Sequence, residues 1–263
     1  MNLSTVPVRA HLWYSGHGPR QFAFLLARLH PSVQSLNRKG DSWCVEMESD
    51  SFYLSDPRQI TRIVGLGARM RGRVLRKYTY PGFVEVEQND TVVDVGAFIG
   101  EFARPAGEIG DRVVAVEPDE RNAAALRRNL QHLSKSTTIE KAAWRETGEH
   151  SFQIAGDPSE GSILEVDSND LTDIVTLDAT RIDDLATDTN LNKIDYLKVE
   201  AEGAEPEVLE EIGDLPVRKI AVECAPERSG QAPVDEVIEW VRNNGYIAKK
   251  QGHIVFARRK PIE

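Results

Sequence analysis

The chain has few of the residues that build disulfide frameworks and metal centres. Its 263 residues include two cysteines, Cys44 and Cys224, which lie far apart without a C-x-x-C spacing, and its six histidines are scattered. This composition excludes a disulfide-rich scaffold and disfavours zinc or redox chemistry. Few and distant cysteines are typical of a reducing compartment, so we expect a cytoplasmic protein.

Long apolar runs and an excess of positive charge are also missing. The longest apolar stretch, Phe22 to Leu29, contains Arg28, whereas a membrane-spanning helix needs about 20 apolar residues. No N-terminal tract has the basic and apolar pattern of a signal peptide, and the net charge of −10 lacks the basic footprint of a nucleic-acid binder. We expect a soluble protein with no membrane span and no nucleic-acid partner. The basic cluster from Arg69 to Lys77 is interpreted as a solvated helix or loop.

The strongest turn signal, Tyr80-Pro81-Gly82, divides the chain into two parts. Residues 1–80 combine a helical pattern over 22–30 with a predicted hairpin over 43–54, which indicates a small α+β extension. Residues 81–263 alternate predicted strands and helices. This alternation is typical of a mostly parallel sheet that helices cover on both faces.

The predicted elements of the second part follow this alternation. In chain order they are strand 91–95, helix 101–108, strand 112–117, helix 119–133, strand 137–143, strand 195–200, helix 206–212, strand 219–223, helix 234–243 and a terminal hairpin of 246–250 and 254–258. Two short strands near 151–154 and 173–177 interrupt the order. Pro105 is expected to kink or shorten the first helix, because proline removes a backbone hydrogen bond.

A glycine turn follows the first of these strands. Gly96 and Gly100 bracket a turn after Asp94, and Glu117-Pro118 ends the next strand, at the separation at which a carboxylate meets ribose hydroxyls in nucleoside-binding βαβ units. The spacing is not the G-x-G-x-x-G of a dinucleotide site, and Asp94 would repel a phosphate. A cofactor with a sulfonium, an ammonium and no phosphate suits these groups better. The sequence therefore predicts S-adenosylmethionine.

Each residue of this predicted site has an expected role. Glu117 would accept hydrogen bonds from the ribose hydroxyls, Asp94 would orient the methionine end, and the small Ala142 and Ala143 would leave a slot for adenine. The glycines let the backbone approach the ligand. The predicted cofactor-binding residues are Asp94, Gly96, Ala97, Gly100, Glu117, Pro118, Ala142 and Ala143.

A second segment narrows the interpretation. Lys198-Val199-Glu200-Ala201-Glu202-Gly203-Ala204-Glu205 resembles the K-[IV]-D-x-E-G-A-E signature of the FkbM family of methyltransferases, with Glu200 in place of Asp. Further matching segments, in the family's order, are Asp94-x-Gly96-Ala97, Glu117-Pro118, Arg121 to Leu130, Ile182-Asp183-Asp184-Leu185 and Val222-Glu223. The resemblance covers roughly residues 82 to 258, and Phe98 stands where the family usually has Asn.

The resemblance implies a class I methyltransferase fold: α/β, with a doubly wound, mostly parallel seven-stranded sheet. It leaves residues 1–80 unexplained, and we expect them to form a cap at the acceptor site, because the Tyr80-Pro81-Gly82 turn separates them from the cofactor motifs. It also implies an S-adenosylmethionine-dependent enzyme that methylates a hydroxyl of a small molecule or carbohydrate. An RNA or protein methyltransferase and a non-catalytic cofactor-binding module stay as alternatives, while the glycine spacing disfavours an NAD-dependent oxidoreductase. The acceptor and the oligomeric state do not follow from the sequence.

Charged residues on a predicted central strand are the candidates for chemistry. Lys198 and Glu200 lie two residues apart and share a face of a strand that would normally be apolar. We predict Glu200 as the base that takes the acceptor's proton, Glu223 as the second candidate, and Lys198 as the group that adjusts their charge. Alternatively, Lys198 only snorkels to the sheet end and neutralises acids. Glu200 and Glu223 could also hold a divalent cation, but two carboxylates are a weak basis and no metal residue is assigned.

Overall fold

The computed structural model describes residues 19–48, 50–64, 71–155, 161–162, 171–227 and 231–260. The chain divides into two compact units, Met1–Arg73 and Val74–Glu263. The division lies before the Tyr80-Pro81-Gly82 turn at which the sequence predicts a boundary. The reason is that Tyr78 and Val84, on both sides of the turn, are fully buried in one apolar cluster of the second unit.

The first unit is a small α+β unit. Its elements are helix α1 (Pro19–Leu29), strands β1 (Val33–Lys39), β2 (Ser42–Met47) and β3 (Asp50–Leu54), a 3₁₀ turn (Pro57–Gln59) and helix α2 (Ile60–Val64). The three strands form an antiparallel sheet in the order β1-β2-β3. The sequence predicts the hairpin of β2 and β3 but not β1. Leu36 is the one buried residue of β1, so the strand has no alternation of apolar and polar residues by which it could be predicted.

The second unit begins within helix α3 (Arg71–Lys77). Its further helices are α4 (Ala103–Ile109), α5 (Glu120–Leu130), α6 (Ile182–Asp188), α7 (Glu205–Glu210) and α8 (Val234–Asn243). Its strands are β4 (Thr91–Val95), β5 (Arg112–Val116), β6 (Ser136–Ile139), β7 (Ala142–Ala143), β8 (Gly148–Ala155), β9 (Gly161–Ser162), β10 (Leu171–Thr180), β11 (Ile194–Val199), β12 (Val217–Glu223), β13 (Tyr246–Gln251) and β14 (Ile254–Arg259).

Seven of these strands form one sheet, in the order β13-β14-β12-β11-β4-β5-β6. The pairs from β12 to β6 are all parallel, and β14 joins β12 and β13 in antiparallel ladders. The predicted terminal hairpin thus supplies the antiparallel edge. The prediction of an α/β, doubly wound, mostly parallel seven-stranded sheet is confirmed.

Apolar residues cover both faces of this sheet. Along β4, Val93 and Val95 pack into one cluster with residues of α6, α7 and α8, while Val92 packs into a second cluster with residues of α4 and α5. Side chains of a strand alternate between its faces, so a strand that is buried on both faces has a nearly continuous apolar run, which charged residues interrupt only where they are paired. This explains why the valine-rich runs of β4 and β5 predict strands.

A second sheet differs from the expectation. The predicted strand 137–143 is two strands, because β6 ends at Ile139 in the large sheet and β7 pairs with β10 instead. The short strands expected near 151–154 and 173–177 are the longer β8 and β10, and the second sheet has the order β7-β10-β8-β9.

Helix α4 begins at Ala103, two residues later than expected. Pro105 lies in its first turn, where a backbone N–H has no partner within the helix, so proline is tolerated there. None of the helices in the described ranges combines the length and the apolar character that a membrane span requires.

Candidate functional site

The candidate site lies where β4, β5, β11 and β12 end, which we call the carboxyl edge of the seven-stranded sheet. Gly96 follows β4 with a φ of +68°, and a Cβ there would lie 1.9 Å from the carbonyl oxygen of Glu200. Glycine is therefore required for the two strand ends to approach each other. The turn closes through a hydrogen bond of 2.9 Å from Ala97 N–H to Val116 O and one of 2.8 Å from Gly100 N–H to Ala97 O.

Phe98, within this turn, has a left-handed backbone with a φ of +52°. Its N–H donates a hydrogen bond of 2.9 Å to Glu117 Oε2, which joins the end of β4 to the end of β5. Asparagine adopts this conformation more readily than most residues. The Asn that the family usually has at this position suits the same backbone.

Glu117 is a buried carboxylate held by three protein donors. Oε2 accepts from Phe98 N–H, and Oε1 accepts from Asp119 N–H at 3.1 Å and from Asn122 Nδ2 at 3.2 Å. Burial raises the pKa of Glu117 to about 7. A carboxylate has about four acceptor positions, so one position on Oε2 stays available. Pro118 is half-buried and places Asp119 at the start of α5.

Lys198 and Asp94 form a buried ion pair beneath the turn. Lys198 Nζ lies 3.0 Å from Asp94 Oδ1, and the two side chains are 2% and 0% exposed. The ammonium also donates to the carbonyl oxygens of Val95 at 3.1 Å and Gly96 at 2.7 Å. Burial opposes the charge of Lys198, but Asp94 and Glu200 raise its pKa above its usual value. Lys198 therefore holds the glycine turn from within the sheet and pairs there with both Asp94 and Glu200.

Both carboxylate oxygens of Glu200 are in ion pairs. Oε2 lies 3.1 Å from Lys198 Nζ, and Oε1 lies 3.2 Å from Lys77 Nζ. Burial alone would raise the pKa of Glu200, but the charge of Lys198 holds it well below its usual value. A carboxylate in this state remains ionised and accepts a proton poorly.

Glu223, at the end of β12, lies beside Glu200. Its Oε2 is paired with Lys77 Nζ and accepts a hydrogen bond of 2.6 Å from the hydroxyl of Tyr78. Burial and the neighbouring Glu200 raise the pKa of Glu223. Lys77 and Tyr78 are absent from the predicted site because Tyr78 and Glu223 are 145 residues apart in sequence, and no motif links them.

The loop after β11 carries the rest of the family signature. Glu205 Oε1 accepts hydrogen bonds from Ala201 N–H at 2.9 Å and Gly203 N–H at 3.1 Å, which fixes the loop at the start of α7. Burial raises the pKa of Glu205 to about 7. Glu202 has a left-handed φ of +50°, and burial together with Glu227 and Glu200 raises its pKa to about 8.

Ala142 and Ala143 are both buried. Ala142 packs with Trp144 and with Ala204 of the signature loop, and Ala201 of the same loop packs against that cluster. Ala143 belongs to the main core instead. The role of the two alanines in binding adenine stays a prediction.

In the described part of the chain, no group of three or more His, Cys, Asp or Glu side chains is placed so that it could hold a metal ion. The carboxyl edge instead brings together Asp94, Glu117, Lys198, Glu200 and Glu223. These residues lie at the ends of four strands. The sequence predicts Asp94 and Glu117 as cofactor-binding residues and Lys198, Glu200 and Glu223 as catalytic residues, from three separate segments.

The sequence matches the model of the Methyltransferase FkbM domain over residues 94–248, more than half of the 263-residue chain. The chain belongs to the FkbM methyltransferase family. The resemblance inferred from the signature is thus confirmed. The matched region contains all of the predicted site residues, from Asp94 to Glu223.

Three solved structures are similar to this FkbM family member. An FkbM methyltransferase from Methylobacillus flagellatus KT is 17% identical, with a TM-score of 0.49 over 76% of this chain and 54% of that protein, so that the chain spans about half of its length. TYW2 of M. jannaschii in complex with AdoMet is 13% identical, with a TM-score of 0.43 over 86% of this chain and 90% of that protein. Fibrillarin of Aeropyrum pernix with natively bound S-adenosyl-L-methionine is 14% identical, with a TM-score of 0.43 over 86% and 98%. No curated protein matches the chain.

Proposed function

We propose that this chain is an S-adenosylmethionine-dependent methyltransferase that acts on a hydroxyl group of a small molecule or carbohydrate. Family membership supports methyl transfer. The observation that carries the hydroxyl assignment is the carboxylate pair of Glu200 and Glu223 at the carboxyl edge, both bonded to Lys77. A hydroxyl acceptor must lose a proton during transfer, and a positioned carboxylate can take it.

The residues at the carboxyl edge fit this cofactor. Glu117 keeps one acceptor position on Oε2, which suits a ribose hydroxyl donor. The acidic edge complements a sulfonium and an ammonium, whereas a phosphate would meet Asp94 and Glu117. When bound, the cofactor supplies a methyl group that is already activated by the sulfonium.

The remaining work of the chain is to orient the acceptor, exclude water and remove a proton. Glu223 suits proton removal better than Glu200, the first candidate from the sequence. Both oxygens of Glu200 are in ion pairs that lower its pKa, while the raised pKa of Glu223 makes it a better proton acceptor. We therefore assign proton removal to Glu223. Glu200 and Lys198 are assigned the role of adjusting the electrostatic environment of the site.

A binding experiment tests the cofactor site. We expect calorimetry to show binding of S-adenosylmethionine and S-adenosylhomocysteine, and Glu117→Ala to weaken both, because it removes the acceptor for the ribose. Glu239→Ala, which alters an exposed residue of α8, is the matched control. No binding by the unaltered protein, or equal binding by Glu117→Ala, would overturn the assignment.

A transfer experiment tests the acceptor class. The protein is incubated with methyl-labelled S-adenosylmethionine and separate RNA, protein and small-molecule fractions of a cell extract. Label in a methyl ether of a small molecule supports the proposal. Label in RNA or protein would instead indicate an RNA or protein methyltransferase. Binding without any transfer would indicate a non-catalytic module. A chelator that abolishes transfer, with recovery on adding magnesium, would assign the carboxylates to a divalent cation.

A further inference from the structure

Tyr78 is a buried phenol that the sequence motifs do not include. Its ring is 0% exposed and packs edge-on against Phe102, with ring centroids 5.6 Å apart. Its N–H donates to Val74 O at 3.2 Å, and its carbonyl oxygen accepts a hydrogen bond from the hydroxyl of Tyr196. Contacts with backbone and side chain therefore fix Tyr78 in one orientation.

This orientation places Tyr78 among the charged groups of the carboxyl edge. The ammonium of Lys77 lies 4.8 Å and that of Lys198 lies 5.3 Å from the centre of the Tyr78 ring. The phenol donates to Glu223 Oε2 at 2.6 Å, and Lys77 Nζ pairs with the same oxygen. Two donors thus hold Oε2, which leaves Oε1 as the oxygen that can take a proton.

We propose that Tyr78 and Lys77 are positioning residues that hold Glu223 Oε2, so that Oε1 faces the acceptor hydroxyl as an ionised carboxylate. This rests on the proposed function. In the proton-transfer step the O–H bond of the acceptor breaks, the proton binds Glu223 Oε1, and the electron pair stays on the acceptor oxygen. A fixed carboxylate loses less orientational freedom in this step than a mobile one.

The charges around Glu223 explain why such donors are needed. Burial and Glu200 disfavour its anion, and Glu223 in turn raises the pKa of the nearby Glu227 and Cys224, which add no positive charge. Lys77 and Tyr78 favour the anion, because a hydrogen bond to the charged form of an acid lowers its pKa. Removing either donor should therefore make Glu223 hold its proton to a higher pH.

The test is a carbon-13 NMR titration of protein labelled at the glutamate carboxyl carbon, with the signal of Glu223 identified by its loss in Glu223→Gln. Tyr78→Phe keeps the ring and removes only the hydroxyl. We expect Glu223 to titrate at higher pH in Tyr78→Phe and in Lys77→Met than in the unaltered protein. Tyr246→Phe is the matched control, since it removes a buried hydroxyl that donates to Val217 O at 2.8 Å, at the start of β12.

An unchanged titration of Glu223 in folded Tyr78→Phe overturns the proposal. Should that variant not fold, Lys77→Met decides in its place, because Lys77 is partly exposed. The titration needs neither cofactor nor acceptor, so its outcome is separate from whether the protein transfers methyl groups. With the labelled small-molecule fraction as acceptor, we further expect Tyr78→Phe to slow transfer about 10- to 100-fold at unchanged affinity for S-adenosylmethionine. A rate equal to that of Tyr246→Phe contradicts the positioning role.

Discussion

Buried charges are paired differently at the carboxyl edge of the seven-stranded sheet and at the opposite edge, where the same strands begin, which we call the amino edge. Lys198, near the end of β11, and Lys219, near the start of the neighbouring β12, are each 2% exposed. Lys219 Nζ donates to Asp90 Oδ2 at 2.8 Å, to Glu87 Oε2 at 3.0 Å and to Glu85 O at 2.6 Å. Two adjacent strands thus each bury an ammonium, one at the carboxyl edge and one at the opposite amino edge.

Charges at the amino edge are matched in number. The carboxylates in its ion pairs are Glu87, Asp90 and Asp195, and the cations are Lys193, Arg218 and Lys219. Asp195 also accepts a hydrogen bond of 3.0 Å from Thr91 N–H. A network in which every buried charge has a partner stabilises the fold without need of a ligand.

Charges at the carboxyl edge are not matched. The carboxylates of the site are Asp94, Glu117, Glu200 and Glu223, and the cations that pair with them in the described residues are Lys77 and Lys198. Burial raises the pKa of Glu117 to about 7. An acidic excess with raised pKa values is typical of sites that exchange protons or bind a cationic ligand. The comparison therefore separates a charge network that is matched in number from one with an excess of carboxylates, where we propose the methyl-transfer site.

Backbone strain follows the same division. Asn89, before β4, and Asn190, before β11, have left-handed φ angles of 67° and 54°, and asparagine tolerates this conformation. At the carboxyl edge the left-handed positions are Phe98, after β4, and Glu202, after β11. Such residues adopt this backbone at a cost of about 1–2 kcal/mol. Strain of this kind clusters at functional sites.

The largest effect that we expect is on the rate of methyl transfer, when a carboxylate of the carboxyl edge is replaced. We expect Glu223→Gln to lower the rate of methyl transfer by about 100- to 10,000-fold, the usual cost of removing a general base, while affinity for S-adenosylmethionine changes little. Glu200→Gln should lower the rate less, because Glu200 sets charge and does not take the proton. Rates are measured with labelled cofactor and the small-molecule fraction.

Glu87→Gln is the control for this prediction, since it removes a carboxylate from the amino edge and should leave turnover unchanged. A larger loss in Glu200→Gln than in Glu223→Gln would return the proton acceptor to Glu200. An equal loss of turnover in Glu87→Gln and Glu223→Gln would contradict the assignment of different roles to the amino and carboxyl edges.

Much of the fold could be predicted because its strands are buried on both faces. The runs 91–95 and 112–117 contain consecutive β-branched and apolar residues, and they correspond to β4 and β5. The break between β6 and β7 could not be predicted, since the choice of partner strand depends on the distant β10. The division into compact units lies before the predicted boundary for a similar reason: Tyr78 joins the second unit through its packing.

Candidate site residues could be predicted where they lie in short motifs. The spacing of the glycine turn predicted Asp94 and Glu117, and the resemblance to the family signature pointed to Lys198 and Glu200. Their contacts were not predictable, because a pattern shows that Lys198 must be paired but not that it bonds Asp94 and the carbonyl oxygen of Gly96. The state of Glu200 depends on such contacts, and this is why we propose Glu223 as the base.

The next effect concerns stability. Removing one partner of a buried ion pair leaves an uncompensated charge and typically costs about 3–5 kcal/mol, so Lys219→Met and Lys198→Met should both lower the free energy of unfolding by about that amount. Replacing both partners by neutral residues should recover much of it. Urea unfolding of Lys219→Met/Asp90→Asn and Lys198→Met/Asp94→Asn measures the recovery.

The two double variants should differ in cofactor binding. Lys219→Met/Asp90→Asn alters the amino edge and should bind S-adenosylmethionine as the unaltered protein does. Lys198→Met/Asp94→Asn removes the ammonium that holds the carbonyl oxygens of Val95 and Gly96, and binding should weaken. Normal binding by the second variant would show that Lys198, like Lys219, has a structural role only.

The smallest effect concerns backbone strain in the signature loop. Glu202→Asn should raise the free energy of unfolding by about 1 kcal/mol, because asparagine tolerates a left-handed backbone that strains glutamate. The substitution also removes a carboxyl group whose anion is disfavoured by burial, Glu227 and Glu200, which together raise its pKa to about 8. This part of the gain should be fully present above pH 8 and should vanish as the pH falls toward the ordinary range of glutamate, where the buried acid is neutral.

The reverse change at the amino edge completes the test. Asn89→Ala keeps the left-handed position but removes the residue type that tolerates it, and it should lower the free energy of unfolding by about 1 kcal/mol at every pH. Urea unfolding at pH 5.5 and pH 9 separates the two contributions, because strain is independent of pH and repulsion between carboxylates is not. A Glu202→Asn variant that is more stable than the unaltered protein at pH 9 but not at pH 5.5 would show that the carboxyl edge stores no strain. The difference between the edges would then be one of charge alone.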